Sequence, residues 1–249
     1  MTLAPDFHFN GLLDLHSALF LDFDGTLVEL APEPDAIVIP PDLVPLLAAV
    51  RERLGGALAV VSGRAVGALD TFLHPLDLPA AGVHGSERRA ADGHLVLLPT
   101  PSLDIVEQAA AKLLQAQPAL AVEPKRGALA LHYRQAPQLE ALCRSTMEQA
   151  VAASPGVSLL HGKMVFEAKS SQANKGMAIA AFMDEAPFAG RRPVFIGDDT
   201  TDEPGFSVVQ HQGGAGIKVG QGATLAQHRV AGPAALRRAL QSWLLQHPA

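Results

Sequence analysis

Phe20-Leu21-Asp22-Phe23-Asp24-Gly25-Thr26-Leu27 sets two carboxylates two positions apart where an apolar run meets a glycine. Residues 19–21 read as a short buried strand. Gly25 breaks that strand and leaves Asp22 and Asp24 at its C-terminal mouth. Side chains alternate along a strand, so residues i and i+2 share a face, and the bend at Gly25 lets Asp24 contribute from a slightly different direction. Two like charges this close need a cation or a shared proton. A hard divalent ion with oxygen ligands meets that need.

Other apolar runs end in the same way: 58–61 before Ser62, 80–83 before His84, and 194–196 before Gly197. Helix-like segments at 41–54, 65–72 and 176–183 separate them. Strand–helix alternation predicts a parallel sheet covered on both faces. The polar residues after such strands collect at one carboxyl edge, so Asp22, Ser62 and Asp198 are expected to meet there. Residues 86–165 have another texture. Strands over 93–98, 127–134 and 163–168, with helices over 102–117 and 138–153, predict a smaller α+β module. In 127–134, Leu129, Leu131 and Tyr133 alternate with Ala130, His132 and Arg134, the pattern of a sheet with one polar face. The expected organisation is a discontinuous core, residues 1–85 and 166–249, with 86–165 inserted as a cap. An amphipathic helix is expected from Pro233 to Leu245, and the glycine-rich stretch 212–216 reads as a loop.

Composition narrows the function classes. The 249 residues, 48% hydrophobic and 18% charged, have the balance of a soluble globular protein. A net charge of −6 without a basic stripe argues against nucleic acid, yet leaves room for an anionic substrate at a locally positive site. Cys143 is the one cysteine, which excludes an intrachain disulfide. The first residues lack the basic flank and apolar core of a signal peptide. No stretch reaches the roughly 18 apolar residues a membrane helix needs. The expected setting is the cytoplasm and the expected partner a small molecule, with no nucleic acid, membrane or obligate protein partner.

Three further motifs carry chemistry. Val60-Val61-Ser62-Gly63-Arg64 offers a hydroxyl and backbone N–H groups at a strand end, where a phosphate oxygen can be held. Arg64 either orders this loop or pairs with an acidic neighbour. Lys175 precedes a helix, an unfavourable place for a cation unless its ammonium reaches into an anionic site. Residues 198–203 pack four carboxylates, Asp198, Asp199, Asp202 and Glu203, behind a buried strand. A metal site accounts for such a cluster, with Asp198 as a direct ligand. Asp199 and Asp202 are then expected to hold metal waters, Lys175 or the loop.

The order Asp22/Asp24, Ser62, Lys175, Asp198/Asp199 resembles that of the haloacid-dehalogenase-like phosphatases. This resemblance implies an α/β fold: a Rossmann-like parallel-sheet core of that type with an inserted smaller α+β cap. It implies that Asp22 is a nucleophile forming an aspartyl-phosphate, and that Asp24 protonates the leaving oxygen and then deprotonates water. Lys175 joins the catalytic group, while Ser62, Gly63 and Arg64 surround the phosphate. The cofactor implied is Mg2+, held by Asp22, Asp24 and Asp198.

Five more stretches are similar to bacterial trehalose-6-phosphate phosphatases. They are Val83-His84-Gly85-Ser86-Glu87-Arg88, Val122-Glu123-Pro124-Lys125, Leu131-His132-Tyr133-Arg134, Gly162-Lys163-Met164-Val165-Phe166-Glu167 and Gln221-Gly222-Ala223-Thr224. The similarity runs over roughly residues 15–235. It implies hydrolysis of trehalose 6-phosphate, with His84, Glu87, Lys163 and Glu167 touching the sugar. Lys163 and Glu167 would point the same way in an extended strand. Val83 stands where some relatives carry an acid, and 168–174 lacks a proline often found there. His132 and Arg134 either meet the substrate phosphate or brace the cap. The competing readings are a sucrose- or mannosylglycerate-phosphate phosphatase, a phosphomutase, and a non-catalytic sugar-phosphate sensor. A sensor would be expected to lose its core acids and lysine, all of which are present here.

Overall fold

The computed structural model describes residues 7–31, 36–162 and 164–248. The chain opens with β1 (Ser17–Leu21), α1 (Leu43–Arg53), β2 (Leu58–Val61), α2 (Val66–Leu73), β3 (Ala80–Gly82), β4 (Glu87–Arg89) and β5 (Leu95–Leu97). Next come α3 (Asp104–Ala116), β6 (Ala121–Lys125), β7 (Ala128–His132), α4 (Glu140–Ala152), β8 (Val157–Gly162) and β9 (Val165–Ser170). It closes with α5 (Lys175–Met183), β10 (Arg192–Gly197), α6 (Glu203–His211), β11 (Ala215–Val219), β12 (His228–Val230) and α7 (Pro233–Gln246).

The described residues of Met1–Val96 and Asn174–Ala249 form one compact unit, and those of Leu97–Ala173 form another. The insert therefore begins about ten residues later than the sequence suggests, because β4 pairs antiparallel with β3 and stays with the core sheet. It also ends later, because β9 pairs with β7 and β8 as far as Ser170.

The larger unit holds a sheet of order β12-β11-β10-β1-β2-β3-β4-β5, parallel from β12 to β3. The chain runs outward from β1 through β2 and β3 in one direction, and returns on its other side through β10, β11 and β12. Such a reversal of strand order opens a crevice at the carboxyl edge. All five residues of β1 are buried, which explains why the strand is a continuous apolar run rather than an alternating one. Phe20 stacks on Phe188 with centroids 5.4 Å apart and tilts against Phe182 at 5.9 Å, tying the central strand to the segment around α5.

The stretch 212–216, expected as a loop, ends inside β11. Gly214 and Gly216 are there for close approach. A Cβ on Gly214 would overlap the Pro193 carbonyl, and one on Gly216 would crowd Phe206 at 3.1 Å.

The smaller unit is an antiparallel sheet, β6-β7-β9-β8, whose inner face meets α3 and α4 in a core of its own. Leu129, Leu131 and Phe166 pack there with Val106, Cys143 and Met147. The strand expected over 163–168 is β9, Val165–Ser170. Among the described residues no helix is long and apolar enough to cross a membrane.

Phe20→Ala would leave a void between β1, Phe182 and Phe188. The expected loss is about 3–5 kcal/mol of unfolding free energy in urea titrations. A loss under about 1 kcal/mol would contradict this packing.

Candidate active site

Leu21 pairs with Val60 on one side and Ile196 on the other, so three strands end side by side. Asp22 follows directly, and its N–H still donates to the Ile196 carbonyl at 2.9 Å. The chain then turns at Gly25, with φ +77°. A Cβ at Gly25 would overlap the Asp198 carboxylate, so this turn and that acid can share the edge only if position 25 is glycine. Gly197 makes the same allowance for Asp202, whose carboxylate fills the space a side chain would take.

The three carboxylates of Asp22, Asp198 and Asp202 offer oxygens within 4.8 Å of one another. Lys175 enters from the first position of α5, where the Asn174 side chain fixes the helix start by accepting from the Met177 N–H at 2.9 Å. Its ammonium, on a residue only 2% exposed, donates to Asp22 Oδ1 at 2.7 Å and to Asp202 Oδ1 at 2.6 Å. Asp202 is also tied to its own turn, accepting from the Asp199 N–H at 2.9 Å. Buried Thr26 spans the remaining gap: its hydroxyl reaches Asp22 Oδ2 at 3.4 Å and Asp198 Oδ1 at 3.3 Å, and can donate to one of them. Asp199, exposed, caps the turn by accepting from the Thr200 N–H at 2.7 Å.

The charges do not balance. Burial pushes the Asp22 carboxyl well above the ordinary range, against the pull of Lys175. Burial, together with the neighbouring Asp202, pushes Asp198 up to about 6. Burial opposes the Lys175 charge, but Asp202 and Asp22 overcome it and raise its pKa above the usual lysine value. One ammonium against three acids is the donor set for a hard divalent cation, which binds oxygen ligands and removes the excess charge.

Asp24, expected beside Asp22 as a metal ligand, has both carboxylate oxygens on Arg64, at 2.6 and 2.8 Å. The third carboxylate of the cluster is Asp202, which the sequence places behind the ligands. Arg64 also lies over the Phe72 ring at 5.0 Å. Its loop is set by Ser62, whose buried hydroxyl accepts from the Arg64 N–H at 3.2 Å. Val83 and His84 then adopt positive φ, 46° and 55°, a region that is costly for non-glycine residues and above all for valine. Two bonds hold this strain: the Val83 N–H to the Arg64 carbonyl at 2.9 Å, and the His84 N–H to the Ser62 carbonyl at 3.0 Å. They seat the His84 ring against Gly63, where a Cβ would come within 2.7 Å of Cε1. Glu87 is engaged at the start of α2, one oxygen accepting from the Val66 N–H at 3.0 Å.

The smaller unit carries its own polar face. Register places Glu123, Ala130 and Glu167 in one row across β6, β7 and β9, and Lys125, Ala128 and Lys169 in the next. Two alanines thus separate a pair of acids and a pair of lysines. Lys125 donates to Glu167 at 2.9 Å, and His132 faces Glu123 at 3.0 Å. The bond from His132 holds the Glu123 carboxyl below its usual range. Buried Lys169 donates to the Ala173 carbonyl. Arg134 is exposed just after β7, and Lys163 lies outside the described residues. The sequence reading singled out Glu167 but not Lys125, although Glu123 and Lys125 alternate as a half-polar strand should. It quoted Thr26 without giving it a role, and passed over Lys218 for want of any local charge pattern around it.

Comparison with known proteins extends the geometry. A family profile described as trehalose-phosphatase matches residues 20–238. The trehalose-6-phosphate phosphatase of Escherichia coli K12 is 45% identical over 217 residues, covering 86% of this chain and 82% of that protein. The crystal structure of a trehalose-6-phosphate phosphatase related protein superposes with a TM-score of 0.77 at 28% identity, over 92% of this chain and 97% of the other. A phosphatase of the haloalkanoate enzyme superfamily from Bacteroides thetaiotaomicron shares the fold at 14% identity, with a TM-score of 0.66 over 97% and 98% of the two chains.

The raised Asp198 acidity has a direction in pH. In the metal-free protein the folded state keeps a proton up to about pH 6. The unfolded chain releases it near pH 4, at the ordinary value of about 3.9. Stability from this group is therefore present at low pH and lost as pH rises through that window. Asp198→Asn is expected to gain stability relative to the parent between those limits and to hold the gain above them, in urea titrations with chelator present. A difference that does not change with pH would refute the assignment.

Proposed function

The chain belongs to the trehalose-phosphatase family, and we propose that it hydrolyses trehalose 6-phosphate to trehalose and inorganic phosphate in trehalose biosynthesis. The observation that carries this reading is the meeting of Asp22, Lys175, Asp198 and Asp202 in one buried cluster, within a stretch that matches the family from residue 20 to 238.

Asp22 is the nucleophile. Lys175 holds its Oδ1, and a carboxylate oxygen of Asp22 bonds to phosphorus as the bond to the sugar oxygen breaks. Asp24 supplies the proton that the departing sugar oxygen takes, then accepts one from the water that cleaves the aspartyl-phosphate. Arg64 holds both Asp24 oxygens in this structure, and one of them has to leave the guanidinium for Asp24 to carry the proton. Ser62 and the strained loop that seats His84 on Gly63 line the phosphate's surroundings. Mg2+ supplies charge neutralisation between the acids and the incoming dianion. Asp22, Asp198 and Asp202 would hold it. Their oxygens lie within 4.8 Å of one another and are hard donors of the kind such a cation takes. Asp199 keeps the Asp202 turn in place.

We assign the sugar to the polar face of the smaller unit. Paired Glu167 and Lys125 offer an acceptor and a donor suited to hydroxyl groups, beside the low floor made by Ala128 and Ala130. Lys163 is kept as a sugar contact on the family resemblance alone, while Glu87 acts by setting the start of α2. The single buried Cys143 suits a reducing cytoplasm, where we place the reaction.

Phosphate release from a panel of sugar phosphates, with Mg2+ and with chelator, tests the whole reading. The expected result is a Mg2+-dependent preference for trehalose 6-phosphate. Comparable turnover of sucrose or mannosylglycerate phosphate would move the substrate, and no release at all would favour a sensor. Asp22→Asn is expected to abolish turnover with the fold intact, since Lys175 keeps Asp202. Retained activity would remove Asp22 as nucleophile. Glu167→Ala should slow trehalose 6-phosphate hydrolysis far more than that of a small aryl phosphate, whereas equal losses on both would argue against a sugar contact.

A further inference from the structure

Lys218 is buried, 4% exposed, in the middle of an otherwise apolar strand end, Ile217-Lys218-Val219. Among the described residues its ammonium makes one hydrogen bond, to the main-chain carbonyl of Asp198. No carboxylate within ion-pairing distance accompanies it among those residues. A buried ammonium without an acidic partner is costly, so its retention calls for a physical reason.

The strand register supplies one. The ladder between β10 and β11 ends at the pair Gly197↔Lys218. The next carbonyl, that of Asp198 just past β10, lies beyond the paired register, and Lys218 reaches forward to bond it. One residue thus closes the ladder with its backbone and extends it with its side chain. Gly216 and Lys218 share a face two positions apart, and on that face Gly216 approaches Phe206 of α6. The ammonium ends at the Asp198 carbonyl, just past β10, with the residue almost wholly shielded from solvent. The same peptide is held on its N–H side by Asp202, which accepts from the Asp199 N–H at 2.9 Å, so Lys218 supplies the restraint on its carbonyl. Among the described residues the Asp198 carboxylate meets the Thr26 hydroxyl at 3.3 Å and shares a hydrogen bond with the Asp22 carboxyl.

We propose that Lys218 is a positioning residue for the cation site: by holding the Asp198 carbonyl it fixes the backbone from which the Asp198 carboxylate is aimed at Asp22 and Asp202. The inference rests on the reading of Asp198 as a cation ligand given above. Outer residues that orient metal ligands are worth about 10–100-fold in metal affinity.

The test is calorimetric titration of Mg2+ into the parent and into Lys218→Met, which keeps the length and apolar stem of the side chain and removes the charge. The expected result is a dissociation constant raised about 10–100-fold. Lys218→Arg should recover part of the loss. In turnover assays, activity of the methionine variant should return as Mg2+ is raised, with KM for the sugar phosphate little changed at saturating metal. A merely structural defect would not be repaired by metal. If the methionine variant does not fold, Lys218→Gln, which keeps a shorter donor, decides by the same titration. A folded variant that binds Mg2+ as the parent does would overturn the role of Lys218 alone. A parent that binds no Mg2+ would overturn the cation reading first, and this inference with it.

Discussion

A carboxylate can be buried only beside something that answers its charge, and the larger unit answers three of them with Lys175. Much of the local architecture follows from that. The ammonium must come from a rigid base, hence the first turn of α5 with Asn174 capping it. The acids must come within touching distance, hence glycines at 25 and 197 where any side chain would collide with a carboxylate. The imbalance that remains is itself useful. An edge with too much negative charge draws in a divalent ion, and the ion in turn admits a phosphate dianion that the bare acids would repel.

The smaller unit works by different means. Its polar face carries acids and lysines in adjacent rows rather than a deficit of one sign. Ala128 and Ala130 on the central strand keep the middle of that face low between the longer side chains. Such a surface offers donors and acceptors at fixed spacing with little net field, which is what a neutral polyhydroxylated molecule can use. In the function proposed above, charge recognition and hydroxyl recognition fall on separate sheets, one parallel and buried on both faces, the other antiparallel with one apolar and one polar face.

Much of this was legible in the sequence because it is local. A continuous apolar run that stops at Asp22 or Asp198 announces a buried parallel strand and its carboxyl end. A lysine at a helix start announces an anionic neighbour, and Lys175 has two. What was not legible depends on pairing between distant segments. The Arg64 grip on Asp24 joins residues 40 apart and could only be framed as an open choice of acidic partner. Asp202 looked like support for Asp198 because spacing cannot tell which acid of a turn is aimed inward. β11 was half hidden by its glycines, which serve contact with Pro193 and Phe206 rather than flexibility. The insert boundaries shifted because strand pairing, not texture, sets where a unit begins.

The position of β1 in its sheet has a bearing on how the protein comes into being. Its neighbour β2 is made within some forty residues, but its neighbour β10 arrives only after the whole insert, and the hydroxyl of Thr26 meets Asp198 across 172 residues of chain. On the ribosome, β1 emerges early with one side open, while in the insert β6 with β7 and β8 with β9 can pair across short turns. The open side is a flat apolar edge of the kind that chaperones shield and other chains can invade. Closing it is the same event that delivers Lys175 and Asp198 to Asp22. The edge whose pairing closes the core sheet is thus also the edge that completes the cluster of acids around Lys175.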